Sequence, residues 1–112
     1  MIESDGVSSF AVVLSTAGSE AEALSLARAL VDRRLAACVN VVPGVRSIYR
    51  WKGAVHDDAE WILVVKTRAE RFEEVRRTIR ELHSYEQPEV VRLDIAEGDE
   101  GYLRWIEAET AS

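Results

Sequence analysis

A chain of 112 residues, 47% of them hydrophobic and 30% charged, suits a single domain with a core and a solvated surface. Fourteen basic against twenty acidic residues give a net charge of -6, the wrong sign for the concentrated cations that bind phosphate backbones. The one cysteine, Cys38, forms no intramolecular disulfide, and no apolar run approaches the ~20 residues needed to cross a bilayer. The expectations are therefore no nucleic-acid partner, no membrane, and a cytoplasmic protein. The cations that do cluster, from Arg68 to Arg80, are interleaved with Glu70, Glu73 and Glu74 and read as a solvated helix face. Residues 1–8, with Glu3 and Asp5 and no basic start, read as a loose tail and not as a secretory signal, leaving residues 9–112 as the domain.

The apolar run Phe10 to Thr16 predicts a first strand, ended by Ala17-Gly18. Ser19 and Glu22 have capping-box spacing, and Leu24, Ala27, Leu30 and Val31 continue at helical steps. Arg33 and Arg34 suit the negative end of that helix. Ala37 to Val42 is β-branched, and Pro43-Gly44 marks a bulge, bend or edge. The chain resumes from Val45 to Trp51, where alternation puts Val45, Ser47, Tyr49 and Trp51 on one face. A polar connection through Asp57 and Asp58 is expected to lead into a further strand from Glu60 to Thr67, completing a long hairpin.

Thr67 and Glu70 repeat the capping-box spacing, and Phe72, Val75, Ile79 and Leu82 form an apolar stripe on a second helix that ends near His83, ahead of Pro88. Val91, Leu93 and Ile95 alternate with polar neighbours as a last strand, and Asp99 caps a short helix carrying Tyr102, Leu103 and Ile106. With right-handed crossovers, the order β-α-β-β-α-β gives an α+β ferredoxin-like sandwich: a four-stranded antiparallel sheet, both main helices on one face, a long hairpin and a short C-terminal helix. That architecture hosts many activities and selects none.

The chemistry-bearing residues are sparse. The segment Thr16 to Ser19 has one Gly and no Arg, unlike a phosphate-holding acylphosphatase loop, and Phe10 and Trp61 are too scattered for an RNA-recognition surface. Cys38 has no His nearby in sequence to serve as a base and reads as a small buried hydrophobe. One Cys and two His fall short of a closed zinc site. His56 is expected in the polar connection, solvated, although with Asp57 and Asp58 it offers an adventitious metal three donors. His83 either caps its helix or joins a polar cluster with Tyr85 and Glu86. Lys66 ends an apolar strand on the face of Glu60, Ile62 and Val64; it either reaches solvent or projects into a cleft toward an anion or a carboxylate.

Five segments, in order, resemble the CutA family: Leu35-Ala36-Ala37-Cys38-Val39-Asn40; Ser47-x-Tyr49-x-Trp51-x-Gly53; Glu60 through Lys66-Thr67; His83-Ser84-Tyr85-Glu86-Gln87-Pro88-Glu89; and Tyr102-Leu103-x-Trp105. The resemblance spans roughly residues 10–107. It implies a homotrimer joined through extended hairpins, a link to copper and other divalent cations, no enzymatic activity and no required cofactor. Where members credited with Cu(II) coordination carry Cys and His, this chain has Ser15 and Leu82, so His83 and Cys38 are the remaining candidate ligands. The trimer also resembles PII signalling proteins. On that alternative, a cleft between subunits lined by Tyr49, Trp51, Glu60, Lys66, His83, Tyr85 and Glu86 holds a small anion. On a third reading, the same aromatic residues are interface anchors.

Overall fold

The computed structural model describes residues 9–111; the expected tail at residues 1–8 lies outside the described residues. Strand β1 (Phe10–Ala17) runs into Ser19, whose hydroxyl accepts from the Glu22 N–H at 3.1 Å and starts helix α1 (Glu20–Asp32). Strands β2 (Cys38–Trp51) and β3 (Ala54–Arg68) form the hairpin, followed by a 3-10 turn (Ala69–Arg71) and helix α2 (Phe72–Leu82). Strand β4 (Val91–Asp94) and helix α3 (Glu100–Glu109), capped by the Asp99 carboxylate on Tyr102 N–H at 3.1 Å, complete the chain. The sheet order is β2-β3-β1-β4, antiparallel throughout, which is the ferredoxin-like arrangement expected from the sequence.

Alternation decides the two faces of the sheet. Val13, Ala17, Leu63 and Val65 point to one side and bury against Leu26, Leu30, Val75 and Ile79 of α1 and α2. The opposite face carries Val12, Leu14, Ile62, Val64, Val42, Val91 and Leu93, away from the core that α1 and α2 close.

Three expectations change. His56, Asp57 and Asp58 are not a connection, because β3 begins at Ala54 and the turn is only Lys52-Gly53. Both turn residues have positive φ, 50° and 80°, as a two-residue type I′ turn requires; Gly53 meets that at no steric cost. Thr67 does not cap α2. Its hydroxyl donates to the Leu35 carbonyl at 2.6 Å inside the core, and the 3-10 turn intervenes. The Arg68–Arg80 run is only partly a solvated face: Arg76 pairs with Glu73, but Arg68 and Arg71 are largely buried and donate to the Thr110 carbonyl at 2.8 and 3.0 Å. Cations there complete the carbonyl-rich end of α3.

The bulge between Val42 and Val45, with Gly44 at φ 77°, lets β2 continue as one strand past Pro43. Beyond the β1 partner Ala17, opposite Trp61, the hairpin continues as two strands alone, and the molecule reaches 44 Å along its longest axis. Ile79 is fully buried where α2 meets the sheet. Ile79→Ala is expected to cost about 2–5 kcal/mol, because the site keeps part of the resulting cavity; denaturant unfolding at constant protein concentration measures it.

Candidate ligand-binding groove

The root of the hairpin and the segment between α2 and β4 enclose a groove of about 460 Å³, lined by Thr16, Ser47, Ile48, Tyr49, Trp51, Glu60, Tyr85, Glu86, Gln87 and Glu89. Five of the seven expected cleft residues line it: Tyr49, Trp51, Glu60, Tyr85 and Glu86. Their convergence follows from register. Tyr49 opposes His56 and Val45 opposes Glu60, so Ser47, Tyr49 and Trp51 share the face of Asp58 and Glu60.

The outer wall is fastened by hydrogen bonds. The His83 Nε2 lies 2.6 Å from the Thr16 carbonyl, and its Nδ1 accepts the Tyr85 N–H at 3.0 Å. A carbonyl only accepts and an amide N–H only donates, so these partners assign the proton to Nε2. The Glu22 carboxylate, released from the reciprocal half of its capping box, accepts the Ser84 N–H at 2.7 Å. Burial alone would raise the Glu22 carboxyl; the bonds from Ser84, with smaller contributions from His83 and the Gly18 backbone, together hold it below the usual range. The chain then turns Tyr85 over the sheet, where its hydroxyl donates to Glu60 Oε2 at 2.6 Å. Gly18 permits that approach, since a Cβ there would stand 2.8 Å from the Tyr85 hydroxyl oxygen.

Two phenols hold two carboxylates. Tyr85 serves Glu60, which is only 6% exposed, and Tyr49 donates to Asp58 Oδ2 at 2.5 Å. Burial, then the bond to Glu60 and its charge, push the Tyr85 phenol well above its ordinary range; the bond to Asp58 leads the upward shift of Tyr49. Lys52, at the hairpin turn, reaches Glu86 Oε1 at 3.1 Å with its ammonium 5.5 Å from the Trp51 ring centroid.

Lys66 is not in this groove. Its ammonium bonds the Asn40 side-chain carbonyl, and it sits opposite Cys38 and Val12. Val12 is four residues along β1 from Thr16, roughly 13 Å from the His83 contact at ~3.3 Å per residue. Within one chain, strand register thus keeps Lys66 away from His83 and Glu86. His83 lies behind the wall, its side chain fully buried and its ring 4.5 Å from that of Tyr85. Cys38 is half-buried, not a core residue, and lies at the Lys66 end of the sheet, so the two candidate metal ligands are not brought together.

The other donors do not fit copper either. Both His83 nitrogens are occupied, leaving no free lone pair for a metal. Ser15 is fully buried on the helix-facing side of the sheet, and Leu82 is half-exposed at the end of α2. His56 stacks on Tyr49 at 5.1 Å, while Asp57 lies on the opposite strand face in an ion pair with Arg46 at 2.8 Å. Among the described residues no three His, Cys, Asp or Glu are grouped to hold a metal ion. Lys52, Glu22 and Gly18 went unrecognised in the sequence. The Gly53 turn signal two residues after Trp51 was the available clue to Lys52; nothing local pointed Glu22 at Ser84.

Fold and groove together define a ferredoxin-like α+β protein with an acidic, aromatic groove at the root of an overhanging hairpin. The chain belongs to the CutA1 divalent ion tolerance protein family, whose model matches residues 11–109. It is 50% identical over 99 residues to the divalent-cation tolerance protein CutA of Thermus thermophilus, covering 88% of this chain and 96% of that one. It is 43% identical over 91 residues to a CutA homolog of Xenopus laevis, covering 81% of this chain but only 60% of that longer protein. The solved Thermus thermophilus structure superposes with a TM-score of 0.88 at 49% identity, covering 91% of this chain and 99% of that one. The structure titled periplasmic divalent cation tolerance protein CutA from Archaeoglobus fulgidus gives 0.89 at 35% identity, covering 91% and 99%. No helix among the described residues is long and apolar enough to cross a membrane.

The Tyr85–Glu60 bond sets a pH dependence. A phenol whose folded pKa is raised contributes stability that is complete below the unfolded value, about 10, and is lost as pH climbs from there toward the folded value. Tyr85→Phe is expected to flatten that alkaline limb, and to cost about 1–3 kcal/mol at neutral pH by leaving buried Glu60 unpaired. Chemical denaturation of both forms between pH 7 and 11 measures both effects.

Proposed function

We propose that the chain is a non-enzymatic, homotrimeric divalent-cation tolerance protein that works by binding. The observation that carries the trimer is the uncovered sheet face. Val42, Val91 and Leu93 are large, apolar and exposed there, and Ile48 (71% exposed) and Val55 (61% exposed) stand out from the overhanging hairpin. A two-stranded ribbon is marginal alone, and an apolar face of this kind marks an interaction surface. Copies of the same chain, seating hairpins against neighbouring sheets, cover both features at once. The free thiol of Cys38 requires no oxidising compartment, in keeping with a cytoplasmic setting.

Copper binding, on this reading, is weak. It draws on His83 only if the ring gives up its bond to the Tyr85 N–H, and Cys38 lies too far along the sheet to share the ion. The alternative, a PII-like sensor for a small anion, depended on Lys66 in the cleft. With Lys66 turned to Asn40, the groove-lining residues include Glu60, Glu86 and Glu89 and no Lys, Arg or His, which favours a positively charged ligand.

Two measurements check these proposals. Light scattering at micromolar concentration is expected to give the mass of three chains, and Leu93→Glu, which sets a charge in the open face, to lower it; a stable monomer of the native chain contradicts the trimer. Calorimetric titration with Cu(II) is expected to give a dissociation constant in the micromolar range or weaker, and nanomolar affinity would overturn the assignment of His83 as an occupied, non-ligating ring.

A further inference from the structure

The groove has a chemical character that copper tolerance does not explain. Three aromatic side chains, Tyr49, Trp51 and Tyr85, share its lining with three carboxylates, Glu60, Glu86 and Glu89. The two phenol hydroxyls are engaged with Asp58 and Glu60, which fixes those carboxylates in place. A divalent metal ion would want several oxygens converging on one point, and no such group of three occurs among the described residues. Separated carboxylates beside aromatic rings instead suit a cation whose charge is spread along an organic skeleton, because ring faces attract ammonium groups and alkyl stems pack on them.

The chain itself supplies the pose. The Lys52 ammonium sits 5.5 Å from the Trp51 centroid and 3.1 Å from Glu86 Oε1, at the hairpin end of the groove. An alkylammonium is thus already seated between a ring and a carboxylate. Its tether is a tight turn held at positive φ, so the backbone is committed while the side chain stays loose. Both partners are mostly exposed, 67% and 72%, and such a pair is weak enough to be displaced.

We propose that the groove binds an organic cation, a primary alkylammonium or diamine, and that Lys52 is its tethered competitor. The ligand's ammonium takes the place of the Lys52 ammonium between Trp51 and Glu86, and the alkyl chain runs along Tyr49 toward Asp58, the carboxylate that the Tyr49 hydroxyl holds. The inference deepens, and rests on, the reading of this protein as one that works by binding, and does not depend on copper.

The test uses the full chain and calorimetric titration with n-butylammonium and 1,4-diaminobutane, with inorganic phosphate as the anionic comparator. Saturable heats with the diamine, weaker ones with the monoamine and none with phosphate are expected. Lys52→Ala is expected to tighten diamine binding about two- to fivefold, the competition an exposed ion pair exerts. Trp51→Leu and Glu86→Gln are expected to weaken it by a similar factor. Circular dichroism establishes that each variant is folded, and Lys52→Ala, at an exposed turn, carries the test if Trp51→Leu fails to fold. Binding of phosphate in place of amine, diamine binding indifferent to these changes, or no saturable heat with native or Lys52→Ala protein at millimolar diamine overturns the proposal. Light scattering on the same samples separates that failure from failure of the trimer.

Discussion

The groove depends on how one short segment is fastened to the end of the sheet. His83 leaves α2 with its side chain buried, gives its Nε2 proton to the Thr16 carbonyl and takes the Tyr85 N–H on Nδ1. Thr16 is near the last residue of β1, so its carbonyl offers a fixed acceptor where the hairpin begins to overhang. Glu22, one turn into α1, secures the next residue through the Ser84 N–H. Two elements therefore position the segment, and Tyr85 has little choice but to cross Gly18 and meet Glu60. Each link places a donor against an acceptor, and all but Ser84–Glu22 lie in partly buried surroundings, where an unmade bond is costly.

This arrangement gives the family motif around His83 a structural meaning in this chain. The histidine serves as a bracket, and the groove wall is what it holds up: Tyr85, Glu86, Gln87 and Glu89 facing Tyr49 and Trp51. A metal at His83 would have to dismantle that bracket, so copper and an intact groove compete in this geometry. On the proposed reading, the acidic lining and the distance of Lys66 favour a cation in the groove.

Much of the fold was legible because periodicity reports burial. Val13 against Val65, and Val75 with Ile79, alternate or step as one-faced elements must. His56, Asp57 and Asp58 misled for the same reason. The overhang of the hairpin has no β1 beside it, so its polar residues need not alternate with apolar ones and resemble a loop. Motif and strand face pointed to Tyr49, Trp51, Glu60, Tyr85 and Glu86 as neighbours, and they line one groove of the single chain. Lys66 was not, because its partner Asn40 is fixed by pairing across the hairpin register, which local sequence leaves open. Cys38 opposite Lys66 at the start of β2, and Glu22 turned from its own cap to Ser84, are likewise products of tertiary geometry.

The fastening of the groove wall rests on one proton. Long-range proton–nitrogen correlation NMR of the imidazoles, with His56→Gln identifying the His83 signals, reads its location directly. The account predicts the His83 proton on Nε2, donated to Thr16, with Nδ1 as the acceptor of the Tyr85 N–H. A His83 ring protonated on Nδ1 would contradict it.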